Sequence, residues 1–446
     1  MFRLFLLSTC FVLISPKKFT VYRLKPADEQ GLSYLQSLTT DNKLDFWKEP
    51  HALGQEVHVM VPEDQSQPFL EGLLRRNISE SVMIDDVDKK IKEQDERKKK
   101  VRKQRRLHDY IDGRVSFNTA EYHSFADVIN YMNALAVAYP NLVSVMPIGL
   151  THEGRQIPLI KITNKLAGSN KARIWVDGGI HAREWVSPST VLYFIHQLIN
   201  GYGQDPMIKR FVDEMEWYLV PLLNPDGYEH SRSATDAETR LWRKNKSPAK
   251  CTTTQTGLFS PPQTTCCQGV DLNRNFDWFF GQVGSSTDPC SEIYNGAYAF
   301  SEPETRAVRD FLSQHPMTTF ITLHSYSQIL MYPFGHQVRT YPNDLDDMRN
   351  TALTAAQALQ RLYGTVYKVG TGADTLYPAS GGSEDWAKGK MGVKYSYLFE
   401  LRPEEQVWDG FLLPESQIIP TARETWEAVK VIALKSITPI GGLRWG

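Results

Sequence analysis

The chain has 446 residues, room for two or three domains at roughly 100–200 residues each. Hydrophobic residues make up 41% and charged residues 23%, an ordinary balance for a folded globular protein. The formal net charge is −1 at pH 7, so overall charge gives no reason to expect a nucleic-acid or anionic-surface partner.

The chain opens "MFRLFLLSTCFVLISPKK", with Arg3 ahead of an apolar stretch over residues 4–14. That stretch is too short to cross a bilayer, which takes about 20 residues. It reads as the apolar centre of a secretory signal over residues 1–16; the alternative is a buried first strand. No later stretch is long and apolar enough to span. A secreted, extracellular protein with no membrane partner is expected. Cysteine usage agrees: Cys10 leaves with the signal, and Cys251, Cys266, Cys267 and Cys290 cluster in one segment. An even, clustered set in a secreted chain reads as disulfides. Zinc binding by the four thiols is the weaker alternative, since no C-x-x-C pair occurs. Two sequons, at Asn77 and Asn245, could carry glycan if exposed.

Residues 19–85 read as a small unit. "FTVYRLKP", "EVHVMVP" and "SVMID" are strand-like, and "ADEQGLSYLQSL" and "PFLEGLLRRN" have helical spacing. A small α+β sheet with helices on one face is expected. Between positions 89 and 106 there are eleven Lys or Arg and three acids. With no apolar face to bury, this run reads as an exposed connector open to proteolysis; a solvated helix and a polyanion-binding patch are the alternatives.

A larger domain begins near Phe117. Its strands, "LVSVMPIG", "PLIKIT", "RIWVDGGI", "EWYLVPLLNP", "FITLHSY" and "YSYLFEL", are near-continuous apolar runs, as in sheets covered on both faces. Helical patterns lie between them: "SFADVINYMNALAVAYP", "SPSTVLYFIHQLIN", "PETRAVRDFLSQH", "MRNTALTAAQALQRLYG" and "ARETWEAVKVIALKSI". An α/β fold follows, with a mixed, mostly parallel sheet flanked by helices on both faces. Sites in such sheets collect where strands end.

Chemistry-bearing residues gather at those ends. His181 and Glu184 follow "RIWVDGGI", His324 lies in "FITLHSY", and Glu400 lies in "YSYLFEL". Asn273 and Arg274 lie in "GVDLNRNFDW", Arg240 and Arg243 in "TRLWRKNK", and Tyr377 opens "YPASGGSEDW". Two His and one Glu form a ligand set for catalytic zinc with an open position for water. Asp271 is a candidate acceptor behind a ligating His. His51, His152 and His336 read as ordinary surface or core residues.

The chain resembles the pancreatic A/B type of zinc metallocarboxypeptidase in its pro-form. The resemblance covers about residues 19–440 and rests on six motifs in order: H-x-x-E with a second His 140 residues after the Glu, L-W-R-K, V-D-x-N-R-N, L-H-S-Y, Y-x-A-S-G-G-S-x-D-W and F-E-L-R. It implies that His181, Glu184 and His324 bind one zinc and that Glu400 is general base and proton donor. It also implies that Arg243 stabilises the oxyanion and that Asn273, Arg274 and Tyr377 hold the substrate's terminal carboxylate. Arg183 and Arg240 would line the approach, and Tyr326 would shape a neighbouring subsite. The implied organisation is a signal at 1–16, an inhibitory prodomain with its basic connector at 17–106 and a catalytic domain at 107–446. A trypsin-like or basic-site protease would cut after Arg106. A monomer acting on peptide C-termini is implied. Cys267–Cys290 matches the family bridge. Cys251 and Cys266 depart from the commonest pattern and are expected to close a smaller loop, with the alternative pairing through adjacent Cys266 and Cys267 left open.

Specificity turns on the residue before Asp385. In the family an apolar residue there goes with apolar or aromatic ends, and Asp goes with Lys or Arg. Here it is Glu384. A confined carboxylate is costly unless paired, and a basic substrate side chain would pair it. Gly372 would leave room for such a side chain, while Leu376 and Leu398 would rim an apolar pocket if Glu384 folds aside. Three readings stand against a basic-specific enzyme: apolar specificity, an inert zinc-bound binder of peptide C-termini, and a zinc amide hydrolase for non-peptide substrates. The presence of Glu400 and Arg243 disfavours the second. The complete carboxylate clamp disfavours the third.

Overall fold

The structure is a computed structural model that describes residues 18–437 except 40, 42, 106–114, 169, 234–235, 255–262 and 408, with the side chains of 98–105 and 254 also left aside. The expected signal and the cleavage point after Arg106 lie outside the described residues. Contacts divide the chain into Met1–Lys89 and Lys90–Gly446.

In the first unit, β1 (Phe19–Lys25), β2 (Asp45–Lys48), β3 (Val57–Pro62) and β4 (Ser79–Ile84) form an antiparallel sheet in the order β2-β3-β1-β4. The register pairs Tyr22 with Val59 and Leu24 with Val57. Period-two alternation puts these four side chains on one face, where they pack with Leu35, Phe69 and Leu73 of helices Glu29–Leu38 and Glu63–Leu74. Asp28 starts the first helix by accepting a bond from Gly31 N at 2.7 Å. The short strand β2, inside "LDFWKEP", was not expected.

The basic run is helical, over Val87–Arg105. The expectation of no buried apolar side chain is corrected: Val87 and Ile91, one turn apart, are both buried. Lys90 pairs with Asp409 at 2.7 Å and Gln94 donates to the Leu412 carbonyl. The start of this helix is therefore tethered rather than loose, and the division of the chain falls at its N-terminal end.

The second unit contains β5 (Val143–Leu150), β6 (Gln156–Ile162), β7 (Ala172–Gly178), β8 (Met215–Val220), the hairpin of β9 (Lys250–Thr254) and β10 (Gln263–Cys267), β11 (Thr319–Ser327), β12 (Ile329–Tyr332), β13 (Lys368–Thr371) and β14 (Tyr395–Glu404). Eight of them form one sheet, β13-β12-β14-β11-β7-β8-β6-β5. Its centre, β14-β11-β7-β8, is parallel, as is β13 beside β12; the remaining pairs are antiparallel. Ile174 and Val176 on β7 face a core shared with Phe194 of helix Val186–Gly201 and Trp426 of helix Ile418–Ile437. Trp175, between them, faces the opposite layer with Phe311 and Phe320. Covering on both faces explains the unbroken apolar strands. Each large side chain fully buried there contributes roughly 1.5–3 kcal/mol relative to exposure.

Disulfides join Cys251 to Cys266 across the β9/β10 hairpin and Cys267 to Cys290. Of the two sequons, Asn77 is exposed and Asn245 is 0% exposed. The Asn245 amide donates to Glu302 and Glu304 at 2.9 and 3.0 Å and accepts from Ser247 N and Val270 N. Expression in a glycosylating host should therefore leave Asn245 unmodified in all folded protein, with any glycan on Asn77. Peptide mapping that finds an Asn245 glycan on folded chain would contradict this burial.

Candidate active site

The site lies where β7, β11 and β14 end. Strand β7 leads into Gly178 and Gly179; Gly179 has φ +67°, a conformation that costs glycine little. The turn delivers His181 and Glu184 three residues apart, ahead of helix Val186–Gly201. On β11, His324 stands in register with Glu400 on β14. Non-local pairing of parallel strands thus brings together residues far apart in sequence.

His181, Glu184 and His324 are buried, and their ligand atoms lie within 4.8 Å of one another. His181 Nδ1 is 2.7 Å from Glu184 Oε1, and His324 Nδ1 is 3.3 Å from Glu184 Oε2. The far side of each ring is engaged. His181 Nε2 lies 3.0 Å from Asp271 Oδ1. His324 Nε2 lies 3.2 Å from the Thr322 hydroxyl, which itself donates to Asp177 at 2.7 Å. Those partners hold the N–H on Nε2 and leave a lone pair on each Nδ1. The two Nδ1 atoms are only 3.2 Å apart. Two lone pairs and a carboxylate facing one another need a cation between them. The donor set, two imidazole nitrogens and one carboxylate, suits zinc.

Asp271 joins this cluster to the positive charge beside it. Its Oδ2 accepts from Arg243 Nε and Nη2 at 3.1 and 2.9 Å. Burial works to raise the Asp271 pKa, but Arg243 and His181 outweigh it and hold the carboxyl well below the usual range. For Glu400, burial dominates and pushes the carboxyl up to about 8; a divalent cation beside it would draw that value down. Glu400 Oε2 is buried and accepts no hydrogen bond from a described residue.

The expected clamp residues also meet. Arg274 Nη2 lies 3.4 Å from the Tyr377 hydroxyl, while Nε and Nη1 donate to the Gly284 and Asn273 carbonyls. Asn273 Oδ1 accepts from Ser383 N at 2.9 Å. Gly381, at φ +76°, runs so close to Arg274 that an added Cβ would sit 2.2 Å from its carbonyl oxygen, so glycine is needed there.

Arg183 and Arg240 were expected to line the approach. Both are buried in this structure. Arg183 donates to the Leu241 carbonyl and lies 4.3 Å over the Phe411 ring. Arg240 donates to the Arg183 and Phe411 carbonyls and lies 3.5 Å over Trp185. Tyr326 meets Phe411 edge-on at 5.0 Å. Phe411 thus organises this side of the site, a role with no motif to mark it. Asp177 and Thr322 were also missed. Asp177 is a buried acid in a mostly apolar strand, and its Oδ2 takes the Trp175 Nε1 proton at 2.6 Å.

Residues 128–428 match the family model described as zinc carboxypeptidase, and residues 22–94 match the carboxypeptidase activation peptide. The chain is 39% identical over 415 residues to carboxypeptidase A1 of Bos taurus, covering 92% of each. It is 40% identical over 410 residues to carboxypeptidase A2 of Mus musculus, covering 91% of each. Among solved structures, thrombin activatable fibrinolysis inhibitor superposes with a TM-score of 0.78 at 32% identity, covering 94% of this chain and 99% of that one. Carboxypeptidase A of Helicoverpa armigera superposes with a TM-score of 0.81 at 27% identity, covering 94% and 98%.

Asp271→Asn removes the charge that orients His181 and pairs Arg243. Zinc affinity should fall about 10–100-fold, measured by competition with a chromogenic chelator. Unchanged affinity would mean that Asp271 does not support the ligand.

Proposed function

The chain belongs to the zinc carboxypeptidase family and is a zinc carboxypeptidase zymogen, and we propose that it releases single C-terminal residues with a preference for Lys and Arg. Glu384 carries that preference. Its Oε2 is buried and accepts no hydrogen bond from a described residue. Glycines surround it: an added Cβ on Gly382 or Gly335 would lie 3.0 or 3.8 Å from the carboxylate, and one on Gly372 would meet Gly335 Cα at 3.2 Å. Beside them Leu376 packs with Ile329, Met331 and Leu398. The glycines leave room for a long side chain and the apolar cluster faces its methylenes. The carboxylate supplies the charge partner.

On this reading His181, Glu184 and His324 hold the zinc, which when bound polarises a scissile carbonyl and makes water acidic near neutral pH. Glu400, with its unbonded oxygen beside the ligand cluster, takes a proton from the attacking water and returns it to the leaving amine. Arg243, fixed by its two bonds to Asp271, faces the developing oxyanion without having to reorganise. Arg274 offers a planar fork to the terminal carboxylate, with Asn273 and Tyr377 beside it. Arg183, Arg240 and Tyr326 shape the adjoining wall around Phe411 and Trp185. We assign the chain to the extracellular space, where its disulfides persist. A protease cutting after basic residues, at Arg106, would separate a prodomain at 17–106 from a catalytic domain at 107–446.

Apolar specificity is the second reading. The Leu376 cluster favours it, as do the A-type names of the relatives. Glu384 decides between them through its charge. Burial pushes its carboxyl up to about 7, with Asp385 adding to the shift. The anion is therefore gained as pH rises through that value, and the preference for basic ends should rise with it. Trypsin-treated protein should show a higher kcat/KM for substrates ending in Arg than in Phe, by a ratio that grows between pH 6 and 8 on the order of the one-unit titration range around that pKa. Glu384→Ile should reverse the preference; a faster Phe substrate with wild-type protein would refute the basic reading.

Glu400→Gln removes the base and no ligand. It should lower kcat by about 10²–10⁴-fold with zinc content unchanged by metal analysis. Near-normal turnover would sink the assignment.

A further inference from the structure

A second group of metal-type donors forms where the turn at His152 meets the start of helix Pro303–Gln314. His152, Glu302 and Glu304 each offer a ligand atom, and these atoms lie within 4.8 Å of one another. His152 Nε2 is 2.8 Å from Glu302 Oε2. Asn245 anchors both acids, its Nδ2 lying 2.9 Å from Glu302 Oε2 and 3.0 Å from Glu304 Oε2. Ser301 donates to Glu302 Oε1 at 2.7 Å.

One oxygen in this group is left over. Glu304 is 0% exposed, and its Oε1 is buried and accepts no hydrogen bond from any described residue. A buried acceptor without a partner costs about 1–3 kcal/mol, more when charged. The nearest base is already paired with the other acid, His152 Nε2 lying 2.8 Å from Glu302 Oε2. His152 is the titratable base facing the two acids. The nearby charges Asp226 and Arg155 are spent on each other at 2.7 Å. Burial raises the Glu304 carboxyl to about 7, with the Glu302 charge adding to the shift and Asn245 and His152 only partly offsetting it. His152 itself is exposed, so an ion from solvent has a way in.

We propose that His152, Glu302 and Glu304 form a second divalent-metal site, distinct from His181, Glu184 and His324. One imidazole nitrogen with two carboxylate oxygens suits an ion of the zinc class, with water as a fourth ligand. Calcium, which takes six to eight oxygens, finds too few here. The ion would brace the active-site loop. Asn245 exchanges backbone and side-chain bonds with Val270, next to Asp271, and stands two residues after Arg243.

The test uses the full-length chain, equilibrated with rising zinc and then analysed for bound metal. Wild type should take up two zinc ions per chain, and His152→Ala and Glu304→Gln should each take up one. Zinc beyond the first equivalent should raise the Tm of wild type and leave that of His152→Ala unmoved. His152 is exposed, so its variant should fold even if Glu304→Gln does not. Saturation of wild type at one zinc would overturn the proposal and leave a proton on Glu304 as the pair's partner. Retention of a second zinc by His152→Ala would overturn it equally, by placing that ion elsewhere.

Discussion

The Asp271 carboxylate holds the active site in one geometry. Its Oδ1 takes the His181 Nε2 proton and the Asn273 N–H, and its Oδ2 takes two protons from Arg243. The group is fully buried, so its charge is tolerable only with these partners in place. Stripping one partner from a buried charge pair typically costs about 3–5 kcal/mol. Because one side chain holds His181, Arg243 and the turn that carries Asn273 and Arg274, those three parts cannot drift independently. Positioning of this kind is what lets fixed dipoles and charges act without reorganising during reaction.

The sheet supplies the rest of the geometry. Parallel pairing of β7, β11 and β14 sets His324 beside Glu400 and aligns Asp177 with Thr322. The polar chain from His324 through Thr322 to Asp177 therefore runs across neighbouring strands, inside a layer that is otherwise apolar. Each of its buried groups has a hydrogen-bond partner, which makes their burial affordable. The candidate site residues then gather toward the C-terminal ends of these strands, as expected for open α/β sheets.

Long strands were legible in the sequence because burial on both faces writes an unbroken apolar run, and the long helices because their apolar residues recur at helical spacing. Four-residue strands carry too few positions for either signal, so β2, β12 and β13 went unread. The ligand triad was legible because His181, Glu184 and His324 follow or end apolar runs. Asp177 and Thr322 sit inside such runs and look like interruptions; only strand register reveals that they meet. His152 was read as ordinary for the converse reason. Nothing near it in sequence is acidic except Glu153, and its partners arrive from about 150 positions away. The basic run misled by composition: charge density hid the one-turn spacing of Val87 and Ile91.

On the proposed function, chemistry and selectivity are carried by different parts of the fold, and this separates what can vary from what cannot. His324 and Glu400 are placed by strand register, and His181, Glu184 and Asp271 by hydrogen bonds among themselves and with Arg243. Glu384 instead stands at the first turn of a short helix, Ser383–Gly389, behind the glycine turn that crosses Arg274. Its link to the clamp runs through a backbone group, Ser383 N on Asn273 Oδ1, which any residue at position 384 preserves. The adjacent Asp385 takes the Gly335 N–H with both oxygens and so fixes the pocket wall without using the Glu384 side chain. A change of side chain at 384 can therefore alter the charge at the pocket floor while Asp271 and its partners stay as they are. Glu384 Oε2 accepts no hydrogen bond from a described residue, so that oxygen stabilises nothing in the fold around it, and on the proposed specificity its partner is a cationic substrate side chain.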